Sequence, residues 1–162
     1  IYFIPDQNLG KYVAAHDTSG KNFIFGRGFC PVHAAVTAED VLRAKTAHPD
    51  ARFLTHPECA AEVCALADYV GSTAGIISFA EDSEASEFIV GTEEGVLYEL
   101  GRRCPNKKFY LVRVRFLCED MKKITPEKVR AALAGELPPV EVEEKVRVKA
   151  ERALLRMLEL AQ

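Results

Sequence analysis

Residues 51–58 read Ala51-Arg52-Phe53-Leu54-Thr55-His56-Pro57-Glu58. Five residues form a short, largely apolar run, and the next three supply an imidazole, a proline that stiffens the turn, and a carboxylate. The same grammar returns in Asp68-Tyr69-Val70-Gly71 followed by Ser72-Thr73, and in Glu87-Phe88-Ile89-Val90-Gly91 followed by Thr92-Glu93. Compact apolar runs bounded by Gly, Pro or charge are typical of strands buried on both faces of a parallel sheet. Outward from this centre, residues 1–4, 22–26 and 108–114 complete a set of strand candidates. Helical patterns fall between them, at 8–15, 37–47, 58–67, 73–81 and 93–103, with 126–134 and 141–161 closing the chain. The interval between strand starts is too uneven for a solenoid. Strand–helix alternation with right-handed crossovers predicts an α/β fold of three-layer αβα units with short parallel sheets.

Local signals place several helix ends. Thr37 can cap the helix over 37–47, with Glu39 and Asp40 in its first turn. Pro57 suits the first position of a helix over 58–67. Thr125-Pro126 starts another helix, Gly135 stops it, and Pro138-Pro139 separates it from the last. In that last helix Val142, Val146, Ala150, Leu154, Leu158 and Ala161 recur at helical spacing and form a packing face. Changes of domain near 28–36 and 113–120 divide the chain into 1–30, the tail of a preceding αβα domain, 31–113, a complete one, and 114–162, a C-terminal part that completes another. Clefts at such boundaries are common ligand sites.

The chain has 162 residues, of which 48% are hydrophobic and 28% charged, so it belongs with globular proteins. A net charge of −3 gives no general reason to expect nucleic acid or anionic membrane as a partner. There is no apolar run of about 18 residues to span a bilayer, and no basic–apolar leader. Five cysteines, at 30, 59, 64, 104 and 118, are an odd count in a domain too large to need staples. Reduced thiols in a cytoplasmic protein are the expectation. The chain opens inside an apolar strand, Ile1-Tyr2-Phe3-Ile4, and is read as a piece of a longer protein.

Ligands of open α/β proteins collect beyond the carboxyl ends of the strands, and the loops there carry the chemistry. Cys30 and His33 form a Cys-x-x-His pair that could share a metal, or aim one group at a metal and the other at a substrate. The plainer alternative is a small buried hydrophobe and a surface histidine. Cys118 also follows a strand and could meet Cys30 only through the fold. His56 can bond an anionic or carbonyl oxygen, and Glu58 can carry protons where a dry cleft lifts its pKa. Alternatively, Glu58 is a first-turn carboxylate facing a helix dipole. Gly71-Ser72-Thr73 offers N–H groups and hydroxyls to an anion, or is an ordinary helix cap. Gly91-Thr92-Glu93 is a weaker repeat of it. Cys59, Cys64 and Cys104 fall within helix patterns and read as core. Arg102, Arg103, Lys107 and Lys108 read as a solvated helix end. No P-loop, Rossmann glycine fingerprint or nucleophile elbow is present. Cys30, His33, His56 and Cys118 could together make a zinc site, and a non-catalytic binding module is a further alternative.

Taken in order, Pro5-Asp6-Gln7-Asn8-Leu9-Gly10, Gly28-Phe29-Cys30-Pro31-Val32-His33, His56-Pro57-Glu58-Cys59, Gly71-Ser72-Thr73, Phe88-Ile89-Val90-Gly91-Thr92-Glu93, Cys118, Met121-Lys122-Lys123-Ile124 and the tail Arg156-Met157-Leu158-Glu159-Leu160 resemble the C-terminal half of the quinolinate synthase family. The resemblance spans nearly the whole chain. It implies three αβα domains in a pseudo-threefold arrangement around a central cleft. It also implies a four-iron four-sulfur (4Fe-4S) cluster held by three cysteines, with Cys30 and Cys118 as the second and third. The first cysteine lies in the N-terminal half of the family, outside this sequence. The activity implied is that of a transferase of NAD (pyridine nucleotide) biosynthesis, which condenses iminoaspartate with dihydroxyacetone phosphate. In that reading Glu58 and His33 are catalytic, and His56, Pro57, Glu58, Ser72 and Thr73 bind substrate. Ala34 departs from the family, where an acidic residue is usual after the histidine.

Overall fold

In the computed structural model, which describes residues 1–161, all six expected strands form, each within the run that predicted it. β1 (Tyr2–Phe3) and β2 (Ile24–Phe25) pair in parallel as a two-stranded sheet. β3 (Arg52–Thr55), β4 (Tyr69–Val70), β5 (Glu87–Gly91) and β6 (Lys108–Leu111) form a second sheet in the order β4-β3-β5-β6, every neighbouring pair parallel. β3 and β5, in the middle, are the apolar runs from which the reading began. Leu54 faces Val90, and Thr55 faces Gly91. Gly91 is required there, because a Cβ at that position would strike the Thr55 and Phe53 side chains.

Alternation along β3 and β5 divides the core between the two faces of this sheet. Phe53 and Ile89 point to one face and pack with Val36, Val41, Cys59, Val63, Val112 and Phe116. Leu54, Phe88 and Val90 point to the other and pack with Ile76, Ala80, Val96 and Leu100. Helices cover both faces, which is the αβα layering expected. Full burial of each large apolar side chain contributes about 1.5–3 kcal/mol before conformational entropy is subtracted.

The helices are α1 (Gln7–His16), α2 (Pro31–Ala34), α3 (Ala38–Ala47), α4 (Ala61–Cys64), α5 (Thr73–Asp82), α6 (Val96–Arg103), α7 (Pro126–Leu133) and α8 (Glu144–Leu160). Thr37 caps α3 in a reciprocal capping box with Asp40, and Thr125 caps α7. Three helical details differ from the sequence reading. α2 and a 3-10 turn at Met121–Lys123 were not anticipated, since both are too short to show periodicity. The helix expected over 58–67 is confined to α4, because residues 56–59 close a turn instead. The Cys59 N–H donates to the His56 carbonyl at 3.0 Å, so Pro57 lies inside that turn and not at the first helical position. α6 starts three residues late because the Glu93 carboxylate accepts the Gly95 N–H at 2.7 Å and holds a turn.

The chain divides into two compact units, Ile1–Glu119 and Asp120–Gln162. Among the described residues, both sheets and every buried residue belong to the first. Among the described residues no helix is long and apolar enough to cross a membrane.

Candidate functional site

The carboxyl ends of β3 and β5 lie side by side, so the loops after them meet. The His56 N–H donates to the Gly91 carbonyl at 3.2 Å and ties the two together. Into this junction α2 brings His33, which is only 8% exposed. Pro31 at the start of α2 fixes the turn that carries His33 inward.

The site is organised around the imidazole of His33. Its Nδ1 lies 2.9 Å from Glu58 Oε2, and its Nε2 lies 3.0 Å from Thr92 Oγ1. An ionised carboxylate only accepts hydrogen bonds, so Nδ1 carries the proton and donates to Glu58. In the neutral ring Nε2 then accepts from the Thr92 hydroxyl. Burial, and then the neighbouring His56, lower the His33 pKa below its ordinary 6.5, and Glu58 opposes them. The ring of His56 stacks on His33 at 4.6 Å with 18° between planes, while the edge of Phe116 meets His33 at 5.7 Å. His56 Nδ1 accepts the Glu58 backbone N–H at 3.3 Å, which places the proton of its neutral form on Nε2. Burial lowers the His56 pKa as well, against the pull of Glu58. Two neutral imidazoles against one carboxylate follow from this burial. Asn8 adds a further restraint, its Nδ2 donating to the Glu58 carbonyl at 3.1 Å.

Cys30 stands at the start of α2, beside this network. One ligand atom each from Cys30, His33 and Glu58 lie within 4.8 Å of one another, a grouping that could hold a metal ion. Cys30 and Cys118 are both half-buried free thiols. Burial is the largest cause that raises the Cys30 pKa. The Cys118 N–H donates to Glu93, the neighbour of the Thr92 that bonds His33, so the loops bearing the two thiols meet at the same junction despite their separation in sequence. Both ring nitrogens of His33 are engaged, as is Nδ1 of His56. A zinc site of Cys30, His33, His56 and Cys118 would have to free one ring nitrogen of His33 from Glu58 or Thr92.

The remaining thiols behave as the sequence reading expected, with one exception. Cys59 and Cys104 are buried in the interior, and burial pushes Cys59 up to about 12. Cys64 is only half-buried, and burial takes it to about 11. It helps line a cleft of about 520 Å³ beside α1, together with Asn8, Tyr12 and Pro57, whereas Cys30, His33 and Cys118 lie outside that cleft's lining. Ser72 accepts the Gly75 N–H at 3.1 Å and caps α5, the ordinary-cap alternative, and both Ser72 and Thr73 are exposed. Sequence reasoning passed over Asp6, Asn8 and Phe116 as site components and gave Thr92 and Glu93 little weight. All five lie just past strands, and that placement was the available signal.

Fold and site together define a parallel α/β protein whose strand-end loops assemble thiols, imidazoles and a carboxylate at one place. The family model described as quinolinate synthetase A protein matches residues 1–159, and the chain belongs to that family. It is 50% identical over 161 residues to the quinolinate synthase of Caldicellulosiruptor saccharolyticus, covering 99% of this chain and 53% of the relative. It is 46% identical over 160 residues to that of Desulforudis audaxviator, and 44% identical over 162 residues to that of Clostridioides difficile. The chain spans about half the length of the curated relatives it matches.

Proposed function

We propose that this chain is the C-terminal part of a quinolinate synthase, in which iminoaspartate condenses with dihydroxyacetone phosphate and loses phosphate and water to give quinolinate. The observation that carries this reading is the grouping of Cys30, His33 and Glu58 at the strand-end junction, to which Glu93, next to the Thr92 that bonds His33, also ties the Cys118 loop. Two half-buried thiols on separate strand-end loops suit a shared iron–sulfur group, and the set is completed by a cysteine from the N-terminal half of the enzyme. Cys30 and Cys118 would hold that group. A 4Fe-4S cluster held by three thiolates supplies, when bound, one open iron as a Lewis acid. The larger arrangement is three αβα domains in pseudo-threefold relation, with divisions near residues 30 and 113. Reduced thiols of this kind fit a cytoplasmic setting.

The roles of the side chains follow from their bonds. Glu58, whose orientation is fixed by His33 Nδ1–H, moves protons between carbon and oxygen during isomerisation and dehydration. His56 donates from Nε2 to a substrate carboxylate, and Pro57 shapes the turn that presents it. Ser72 and Thr73 bind a second anionic group, with Thr73 the freer hydroxyl because Ser72 caps α5. His33 acts on Glu58, and it bonds the intermediate directly only by releasing Thr92 from Nε2.

The test is anaerobic purification of the full-length enzyme, with iron, sulfide and zinc measured and quinolinate assayed from both substrates. A brown protein containing iron and sulfide that forms quinolinate is expected. A colourless zinc protein, or an iron–sulfur protein that forms no quinolinate, would overturn the proposal. The competing readings, a zinc protein and a binding module without chemistry, predict those two outcomes respectively.

A further inference from the structure

The two cysteine loops are held by the same pair of hydrogen bonds, repeated at unrelated sequences. In the β1–α1–β2 unit, Asp6 Oδ2 accepts the Cys30 N–H at 2.7 Å, and the Gln7 N–H donates back to the Gly28 carbonyl at 2.9 Å. In the β5–α6–β6 unit, Glu93 Oε1 accepts the Cys118 N–H at 3.3 Å, and the Glu94 N–H donates back to the Phe116 carbonyl at 2.8 Å. Each time an acid bonds the cysteine, and the residue after the acid bonds the residue two before the cysteine. The separations are 24 and 25 residues. In both units the acid follows the first strand of a parallel pair and the cysteine follows the second.

Capping alone does not explain this arrangement. Asp6 Oδ1 caps α1 by accepting from Asn8 N at 2.8 Å and Leu9 N at 2.9 Å, and Glu93 Oε2 holds the Gly95 turn. The second oxygen of each carboxylate is aimed at a cysteine amide instead. Both acids are buried, at 3% and 8% exposure, and a buried carboxylate persists only where its oxygens are filled. The backbone is shaped to the same end at Gly28, where a Cβ would run into the Pro5 carbonyl oxygen.

We propose that Asp6 and Glu93 are positioning residues, each fixing one cysteine loop so that the Cys30 and Cys118 thiols are presented together to an iron–sulfur group. This rests on the function proposed above for the ligand, but not for the clamp itself. Restraint of ligand backbones by outer groups lowers the reorganisation needed on binding and sets ligand orientation.

Two measurements on the full-length enzyme separate the claims. In the cluster-free protein, amide hydrogen exchange at Cys30 and Cys118 should be slower than at unbonded loop amides by about tenfold or more. Exchange of either amide at the free-loop rate overturns the clamp on that loop, whatever ligand the thiols take. In the loaded protein, Asp6→Asn and Glu93→Gln each put an amide NH2 where one N–H must be accepted. Each variant should release iron to a chelator several-fold faster and shift the cluster's reduction potential. Asp40→Asn, which breaks the capping box of α3, serves as a control for general loosening and should leave both readings as in the unaltered enzyme. Unchanged release in the amide variants, or equal acceleration in the control, overturns the positioning role. Protected amides in a protein that takes no iron would leave the clamp standing and remove the ligand.

Discussion

Ile1–Glu119 and Asp120–Gln162 put their apolar side chains in opposite places. In the first unit Phe53, Leu54, Phe88, Ile89 and Leu100 are fully buried on the two faces of the four-stranded sheet. In the second no described residue is buried, and Val146, Leu154 and Leu158 of α8 are each more than half exposed. Yet α8 is a regular helix with an apolar stripe. The first unit is held by contacts between residues distant in sequence, and it contains the side chains of the candidate site. The second is written by local signals, a threonine cap, a proline at the first helical position and apolar periodicity, whose stripe finds no cover within its own unit. Helices gain most of their stability from packing such a stripe, so the second unit has the pattern of a packing element without the packing.

The largest effect that tests this division is on chemistry. Glu58→Gln in the full-length enzyme should lower turnover by about 10²- to 10⁴-fold, the usual contribution of a positioned acid–base group. On the function proposed above, iron content should stay unchanged, because Cys30 and Cys118, the thiols proposed to hold it, remain. Normal turnover in that variant would move proton transfer away from this residue. Next comes the core. Phe53→Ala, at a fully buried site in the cluster that also holds Cys59 and Phe116, should cost about 3–5 kcal/mol in denaturant unfolding of the first unit. Leu158→Ala, in the chain by itself, should cost less than about 0.5 kcal/mol, as exposed positions do. Equal costs would show that the second unit hides its stripe and would erase the contrast.

A smaller effect follows from the paired imidazoles. Burial holds both His33 and His56 below 6.5 in the folded chain. Below pH 6.5 the unfolded chain therefore binds more protons than the folded one at these two sites, and stability falls as pH falls. Their contribution is complete above pH 6.5 and is lost as pH drops toward the lowered folded values. Thermal melts of the first unit should lose stability in that window, and the loss should shrink in His56→Gln. A melt independent of pH between 7 and 5 would show the imidazoles to be solvated.

The sequence was legible where a pattern repeats or a residue type has one strong use. Phe53-Leu54-Thr55 and Phe88-Ile89-Val90 announced central parallel strands because burial on both faces leaves no polar alternation to confuse the reading. Thr37 and Thr125 announced helix starts because a threonine before acidic residues or proline has few other uses. Cys30, His33, His56 and Glu58 were found as chemistry-capable residues beyond strand ends, and they do converge, as the 2.9 Å His33–Glu58 contact records. What escaped was anything set by a partner distant in sequence. Pro57 is the local exception, a valid helical reading overridden by a three-residue turn when the Cys59 N–H found the His56 carbonyl. Asp6 caps α1, and its second oxygen reaches across 24 residues to the Cys30 N–H, which no local rule announces. Thr92 was one member of a weak repeat until the fold set His33 against it.

The smallest predicted effect lies in the second unit, where local rules alone should govern. Thr125 Oγ1 accepts the Lys128 N–H at 3.4 Å, at the long edge of a hydrogen bond. Pro126 already supplies a helical φ and has no N–H to satisfy. A cap of this kind is worth about 0.5–2 kcal/mol of helix stability, and the long bond places Thr125 at the low end of that range. Thr125→Ala should therefore raise hydrogen exchange at the first-turn amides of α7 by about two- to threefold, at the cost of about 0.5 kcal/mol. The melt of the first unit should not change, since its core shares none of these bonds. A change there would mean that α7 and the sheet core unfold together, so that local writing in the second unit already serves a cooperative whole. An unchanged core would mean that α7 forms and frays on its own terms.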